Sequence, residues 1–195
     1  MKYDIRLLTL AADTLLKTTT NPRHRRILEN YRRHAMLEVS GRYHEIFLPE
    51  MTVEKPFYRV ASPMGNMELD GETAVKGFYQ SLVDTGTTVM LLEQENIVVS
   101  DWGFASEALY KTFITADTAT AAGHVVDDPK GKYIESRMIC MMWPYDDKGR
   151  MIGERVYPAP TSTIEKCSEE DFITLEQAGA VFDPLIAESH LTELV

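Results

Sequence analysis

Hydrophobic positions in the first third of the chain recur at helical spacing. Ile5, Leu8, Leu15 and Leu16 punctuate a polar background over residues 3–19, which predicts an amphipathic helix ending in Thr18-Thr19-Thr20. Asn21-Pro22 then marks a fresh start, because asparagine caps free backbone N–H groups and proline is tolerated in a first turn. The helix it opens runs over 22–40 and stops near Gly41. A short helix over 42–48 ends at Pro49 and leads into an extended segment, 51–58. Residues 65–71 read as a loop, and 72–83 as a helix with Ala74, Val75, Phe78, Tyr79 and Leu82 on one side.

Beyond residue 87 the pattern changes to β. Segments 87–99 and 102–115 are rich in branched and aromatic residues, with a turn at Ser100-Asp101. Glycines, a proline and small residues over 116–131 predict a mobile loop or lid. Strands over 133–143 and 151–157 form a hairpin around Pro144-Tyr145-Asp146-Asp147-Lys148-Gly149. A further helix is expected over 169–182. Helices first and an antiparallel meander afterwards define an α+β fold, with one domain over 1–160 and a helical extension over 161–195.

Composition narrows the partners. With 195 residues, 44% hydrophobic and 26% charged, the chain has the make-up of a globular protein with one sizeable core. A formal charge of −10 argues against nucleic acid or an anionic membrane as the main partner, since both require a positive surface. The basic run Arg23-His24-Arg25-Arg26 with Arg32-Arg33 reads as a solvated helix face. No apolar run reaches bilayer-spanning length, and Asp4 and Arg6 interrupt what would be a leader, so a cytoplasmic location is expected. Cys140 and Cys167 read as passive fillers, and no spacing suggests a metal site or a nucleotide loop, so no cofactor is expected.

Particular phrases add a resemblance. A helix followed by Gly41-Arg42-Tyr43, then Phe47-Leu48-Pro49-Glu50-Met51-Thr52-Val53, then Gly71-Glu72 with Ala74-Val75 and Gly77-Phe78-Tyr79, resembles the nuclear-transport-factor-2-like superfamily in its SnoaL-like branch. The hairpin residues 147–152 resemble that superfamily's last two strands, so the resemblance covers roughly 22–160. It implies a cone-shaped, curved antiparallel sheet wrapped on the N-terminal helices, an apolar cavity open at one end, and subunit contacts through the outer sheet face, hence a homo-oligomer such as a dimer or trimer. It also implies that enzymatic members work without cofactors, by acid–base groups inside the cavity.

Several residues are candidates for that work. Tyr31, His34 and Glu38 share a stripe with Ile27 on the second helix, spaced by three and four. A histidine and a glutamate on an apolar stripe are either a satisfied pair at the rim or an acid–base couple tuned near neutrality. In segment 51–58, Glu54 and Tyr58 lie on one face and Lys55 on the other with Met51, Val53 and Phe57. Glu54 or Lys55 is expected near the cavity, unless the two form a surface ion pair; in the dehydratases this resembles, the matching position carries an acidic or tyrosine side chain. Arg137, in a row with Ile139 and Met141, would clamp a substrate oxygen or pair with Glu154. Family members often end their last strand in a tryptophan–aspartate phrase; here Val156 occupies the aspartate position and Glu154 is the substitute. Met138, Met141, Met142 and Met151, with Trp102, Phe104, Tyr110 and Trp143, are either core or a soft lining for flat rings. His124 sits in the long loop, exposed or closing over a ligand.

The expectation is a cofactor-independent lyase or isomerase acting on a hydrophobic aromatic small molecule, with His34, Glu54, Lys55 and Arg137 as acid–base groups. Tyr31, Glu38, Tyr58, Trp102, Met141, Trp143 and Glu154 would hold the substrate. The phrase Glu38-Val39-Ser40-Gly41-Arg42-Tyr43 with Met51-Thr52-Val53-Glu54 resembles lyases that release formaldehyde from lignin-derived diarylpropanes. A polyketide cyclase or ketosteroid isomerase type of enzyme, a binding module without catalysis, and a structural subunit are the alternatives.

Overall fold

Asn21 starts the longest helix, α2 (Pro22–Val39), by accepting from the backbone N–H groups of Arg23 and His24. The computed structural model describes residues 2–61 and 65–194. In place of one helix over 3–19 there are a 3₁₀ turn (Ile5–Thr9) and α1 (Leu10–Leu16). The Asp4 side chain caps the first piece, and the second begins after β-branched Thr9. After α2 comes another 3₁₀ turn, Tyr43–Phe47.

The extended segment is much shorter than its β-rich composition predicts. Strand β1 is Phe57–Val60; before it only Thr52 makes an isolated bridge, to Met151. Pro56 supplies no ladder donor and restricts Lys55 ahead of it, so Glu54 and Lys55 sit on a bend. The expected loop 65–71 contains β2 (Met67–Asp70), paired antiparallel with β1. Then follow α3 (Glu72–Asp84), β3 (Met90–Ser100) and β4 (Gly103–Thr115). The predicted mobile stretch opens with α4 (Ala116–Ala121), capped by the Thr115 hydroxyl. Strands β5 (Lys132–Pro144), β6 (Arg155–Pro158) and β7 (Thr163–Cys167) precede α5 (Leu175–Glu188), which starts in a capping box of Thr174 and Gln177.

The architecture is α+β: helices against a curved sheet of seven strands among the described residues, in order β2-β1-β6-β5-β4-β3, with β7 also on β5. The sheet is mixed rather than purely antiparallel, because β1 runs parallel to β6. The segment beyond residue 161 thus contributes a sheet strand before its helix. On the helix-facing side, Phe104, Ser106, Ala108 and Tyr110 of β4 stand opposite Trp143, Met141, Ile139 and Arg137 of β5. Residues of the other parity, such as Phe113 and Ile134, pack on the reverse side, where Phe113 meets Tyr3 and Phe172 edge-on. Among the described residues no helix is long and apolar enough to cross a membrane.

Candidate active site

Between α2 and the sheet lies a cavity of about 200 Å³, more than the roughly 150 Å³ that accommodates one benzene ring. Its wall is apolar, with Met90, Leu92, Ile139, Met141 and Trp143 from the strands and Phe78 and Leu82 from α3. The helical stripe on α2 brings in Tyr31, Ala35 and Glu38. Glu154, just before β6, faces them. Two carboxyl groups therefore share an otherwise greasy hollow.

Behind Glu154 stands a hydrogen-bonded cluster. Tyr79 donates to Oε1 of Glu154 at 2.8 Å. Since that bond uses its proton, the Tyr79 oxygen accepts from its other neighbours, Nε2 of His34 at 2.8 Å and the Tyr58 hydroxyl at 3.0 Å. His34 is then a neutral imidazole with its proton on Nε2, and its buried Nδ1 has no partner among the described residues. The same Nε2 lies 3.4 Å from Glu154 and 3.7 Å from Oε2 of Glu38. The two carboxyl oxygens are consequently no more than about 7 Å apart, close enough for each charge to oppose the other.

Burial sets the protonation states. It pushes His34 down to about 4, against the pull of Glu154, which fits the neutral tautomer. It raises Glu38 to about 8 and Glu154 to about 7. Glu38 makes no hydrogen bond through its carboxyl among the described residues, whereas the burial of Glu154 is offset by the neighbouring His34 first and then by the Tyr79 and Tyr58 hydroxyls, so Glu154 ionises first. Of the two raised carboxyls, Glu38 holds its proton the more firmly near neutral pH, and Glu154 is the readier to accept one.

The other candidates fall elsewhere. Glu54 is 83% exposed and pairs with Arg150 at 2.8 Å. Lys55 is 75% exposed, 3.4 Å from Asp70. Both stand in water, since the chain bends ahead of Pro56 instead of running as a strand. Trp102 is 46% exposed in the β3–β4 turn, with Arg155 over its ring, and takes no part in the cavity wall. Met138 and Met142 are exposed on the outer sheet face; Met141 alone of that run lines the cavity. Arg137 shares a row with Tyr110 but turns to Glu135 at 2.7 Å and Ser162 at 3.0 Å, and does not reach Glu154. His124 joins that cluster at 3.3 Å from Glu135. His34 and Tyr58 are fully buried behind the cavity wall, where both bond to the Tyr79 hydroxyl.

Two polar residues are not legible as site residues in the sequence. Tyr79 reads as one more apolar position on the buried side of α3, and only its contacts give its hydroxyl a task. Glu95 lies in a strand of mixed polarity, yet it accepts from Tyr31 at 2.5 Å.

No protein-family profile matches the sequence, and no curated protein does. Among solved structures, one described as a SnoaL-like polyketide cyclase from Jannaschia sp. CCS1 is 12% identical, over 72% of this chain and 90% of its own, with a TM-score of 0.53. Bal32a, from a soil-derived mobile gene cassette, is 15% identical over 70% of this chain and 91% of its own, at a TM-score of 0.49. The likeness to the SnoaL-like structure gives the chain the SnoaL-like, nuclear-transport-factor-2-like fold.

Proposed function

We propose that the protein is an enzyme that transfers protons on a hydrophobic, ring-bearing small molecule without a cofactor, Glu154 acting as base and Glu38 as acid. The observation that carries this reading is the pair itself: two carboxyls with different hydrogen-bond support, facing one apolar cavity. Buried acids without such a task are costly, and perturbed carboxyls in a cleft mark functional sites. In the reaction, Glu154 takes a proton from the substrate and the electron pair moves into a conjugated system. Glu38 gives its proton to the group that accepts that charge. Tyr79 holds the Glu154 carboxyl, while His34 and Tyr58 hold Tyr79; these three are positioning residues.

Within this class two forms compete. In the lyase form, the Glu38 proton goes to a departing hydroxyl, which leaves as water, and a diarylpropane-type alcohol can then release formaldehyde. The feature in its favour is that Glu38 stays protonated at neutral pH. In the isomerase or cyclase form the proton goes to carbon or to a carbonyl oxygen, in keeping with a fold shared with a protein described as a polyketide cyclase. The partner in either case is a small aromatic molecule, and the outer sheet face is the expected contact for a second copy.

The test is to incubate the chain in deuterated water with a panel of phenols, aromatic alcohols and polycyclic ketones, with no added cofactor. Mass spectrometry should find deuterium incorporation, or loss of water or formaldehyde, for at least one class. Glu154→Gln should abolish it. Turnover unchanged in Glu154→Gln, or ligand binding with no exchange at any pH, would reject the assignment.

A further inference from the structure

The wall of the acid–base cavity offers two acids and no base. No lysine, arginine or histidine side chain lines it among the described residues. Arg137, which stands opposite Tyr110 in the sheet, is turned away to Glu135 and Ser162. Glu38 lies in the last turn of α2, where the backbone carbonyls form the negative end of a helix, and no basic residue in that turn offsets it. His34, one turn earlier, is buried, lowered to about 4 and bonded to Tyr79, so it brings no positive charge near neutral pH.

The donors that could hold an anion there are engaged elsewhere. The Tyr79 hydroxyl goes to Glu154 and the Tyr58 hydroxyl to Tyr79. That of Tyr31 goes to Glu95, and that of Tyr110 to the Met141 sulfur. The Trp143 N–H has no partner among the described residues, but its nitrogen is enclosed within the protein. What stays open to a ligand is the carboxyl pair, with 14% of the Glu38 side chain and 9% of the Glu154 side chain uncovered. Around the pair stand the rings of Tyr31, Phe78, Tyr110 and Trp143. Aromatic faces attract a cation and repel an anion, and in a hollow with so little polar wall these fields are weakly screened.

We propose that Glu38 and Glu154 together act as a charge filter, so that the cavity admits neutral or positively charged ring-bearing molecules and turns away carboxylates, phosphates and sulfates. The inference rests on the same cavity as the acid–base reading and narrows its substrate class to molecules without an acid group. A carboxylate inside would stand beside two acids in surroundings of low polarity, and would be tolerated only by forcing protons onto both glutamates. An ammonium group does the reverse, pairing with an ionised carboxyl and driving protons off the pair. A neutral hydroxyl or carbonyl leaves the pair as it is and can accept from Glu38, whose carboxyl makes no hydrogen bond among the described residues.

Calorimetric titration of the full chain with phenethyl alcohol, phenethylamine and phenylacetate tests it, since the three share a ring and a chain length and differ in charge. At pH 8 phenylacetate should bind roughly tenfold more weakly than the alcohol, or worse, and the amine at least as tightly as the alcohol. Titrations at pH 7 in two buffers of different ionisation enthalpy should show protons released when the amine binds and taken up when the acid binds. Glu38→Gln and Glu154→Gln each remove one charge, so the preference for alcohol over acid should shrink in both. In the native chain it should shrink likewise as pH is lowered to 6, a comparison that depends on no variant folding. Selectivity is read from binding alone, so it can hold where no substrate exchanges deuterium, and exchange can persist where selectivity fails. Equal binding of acid and alcohol at pH 8, an amine rejected as strongly as the acid, or no binding of any of the three would overturn the proposal.

Discussion

Replacing Glu38 by glutamine should remove much of the loss of stability that the native chain suffers as pH rises. Burial holds the Glu38 carboxyl at about 8 against an ordinary 4.5, and its side chain is only 14% exposed. A group that binds its proton more tightly when folded stabilises fully below its unfolded value, and that stabilisation disappears as pH climbs through the folded one. Each tenfold difference in proton affinity between folded and unfolded chain is worth about 1.4 kcal/mol. The change between pH 5 and pH 8 therefore comes to about 3 kcal/mol, or roughly 10 °C in melting temperature for a chain of this length. Glu154 and Glu95, both raised to about 7, act in the same direction, and His34, lowered to about 4, acts oppositely, losing its contribution as pH falls from 6.5 through 4. The difference between variant and native chain cancels the Glu95 and His34 contributions and leaves that of Glu38 together with its repulsion of Glu154. Urea unfolding of both proteins at pH 5, 6, 7 and 8 should show Glu38→Gln gaining on the native chain by about 3 kcal/mol across the series. Parallel curves would mean that Glu38 titrates normally, and a carboxyl that does so is no reservoir for a proton at neutral pH.

Three further outcomes can be checked together. Tyr79→Phe removes the donor that lowers the Glu154 carboxyl, so the acid limb of the rate against pH should move upward; an unmoved limb would detach Tyr79 from the site. Glu54→Gln and Lys55→Met should leave turnover unaltered and change stability by no more than about 0.5 kcal/mol, as expected of exposed side chains. Gly153→Ala would place a Cβ 1.8 Å from the Phe57 carbonyl oxygen and must push apart the strands that carry Glu154. Circular dichroism melts should therefore report a loss beyond the roughly 0.5–3 kcal/mol of a common substitution, together with lost turnover.

Much of the helical framework, and one wall of the site, can be read in the chain alone. Asn21-Pro22 and the periodic apolar residues define α2, and the three-and-four spacing of Tyr31, His34 and Glu38 puts them on one face whatever packs against it. Such spacing is a property of the helical backbone, so a few neighbouring residues suffice to determine it. Alternation within a strand is equally local, and it correctly pairs Ile139, Met141 and Trp143 as a single inward row. Where a strand begins is less local: Glu54 and Lys55 lie among strand-forming residues, and the bend ahead of Pro56 takes both into water.

What tertiary structure alone decided is which distant groups meet. Glu154 stands 120 residues from His34, and nothing around either residue announces the other; the register of β5 on β6 and the parallel pairing of β6 with β1 bring Glu154 to the cavity. Tyr79 gains its partners only when α3 closes over α2, and Glu95 turns inward only because Gln94 bulges out of the ladder. The same holds for proton affinity. A glutamate's ordinary value belongs to its chemistry, while the displacement of Glu38 and Glu154 comes from water excluded by residues far along the chain, which no local pattern records.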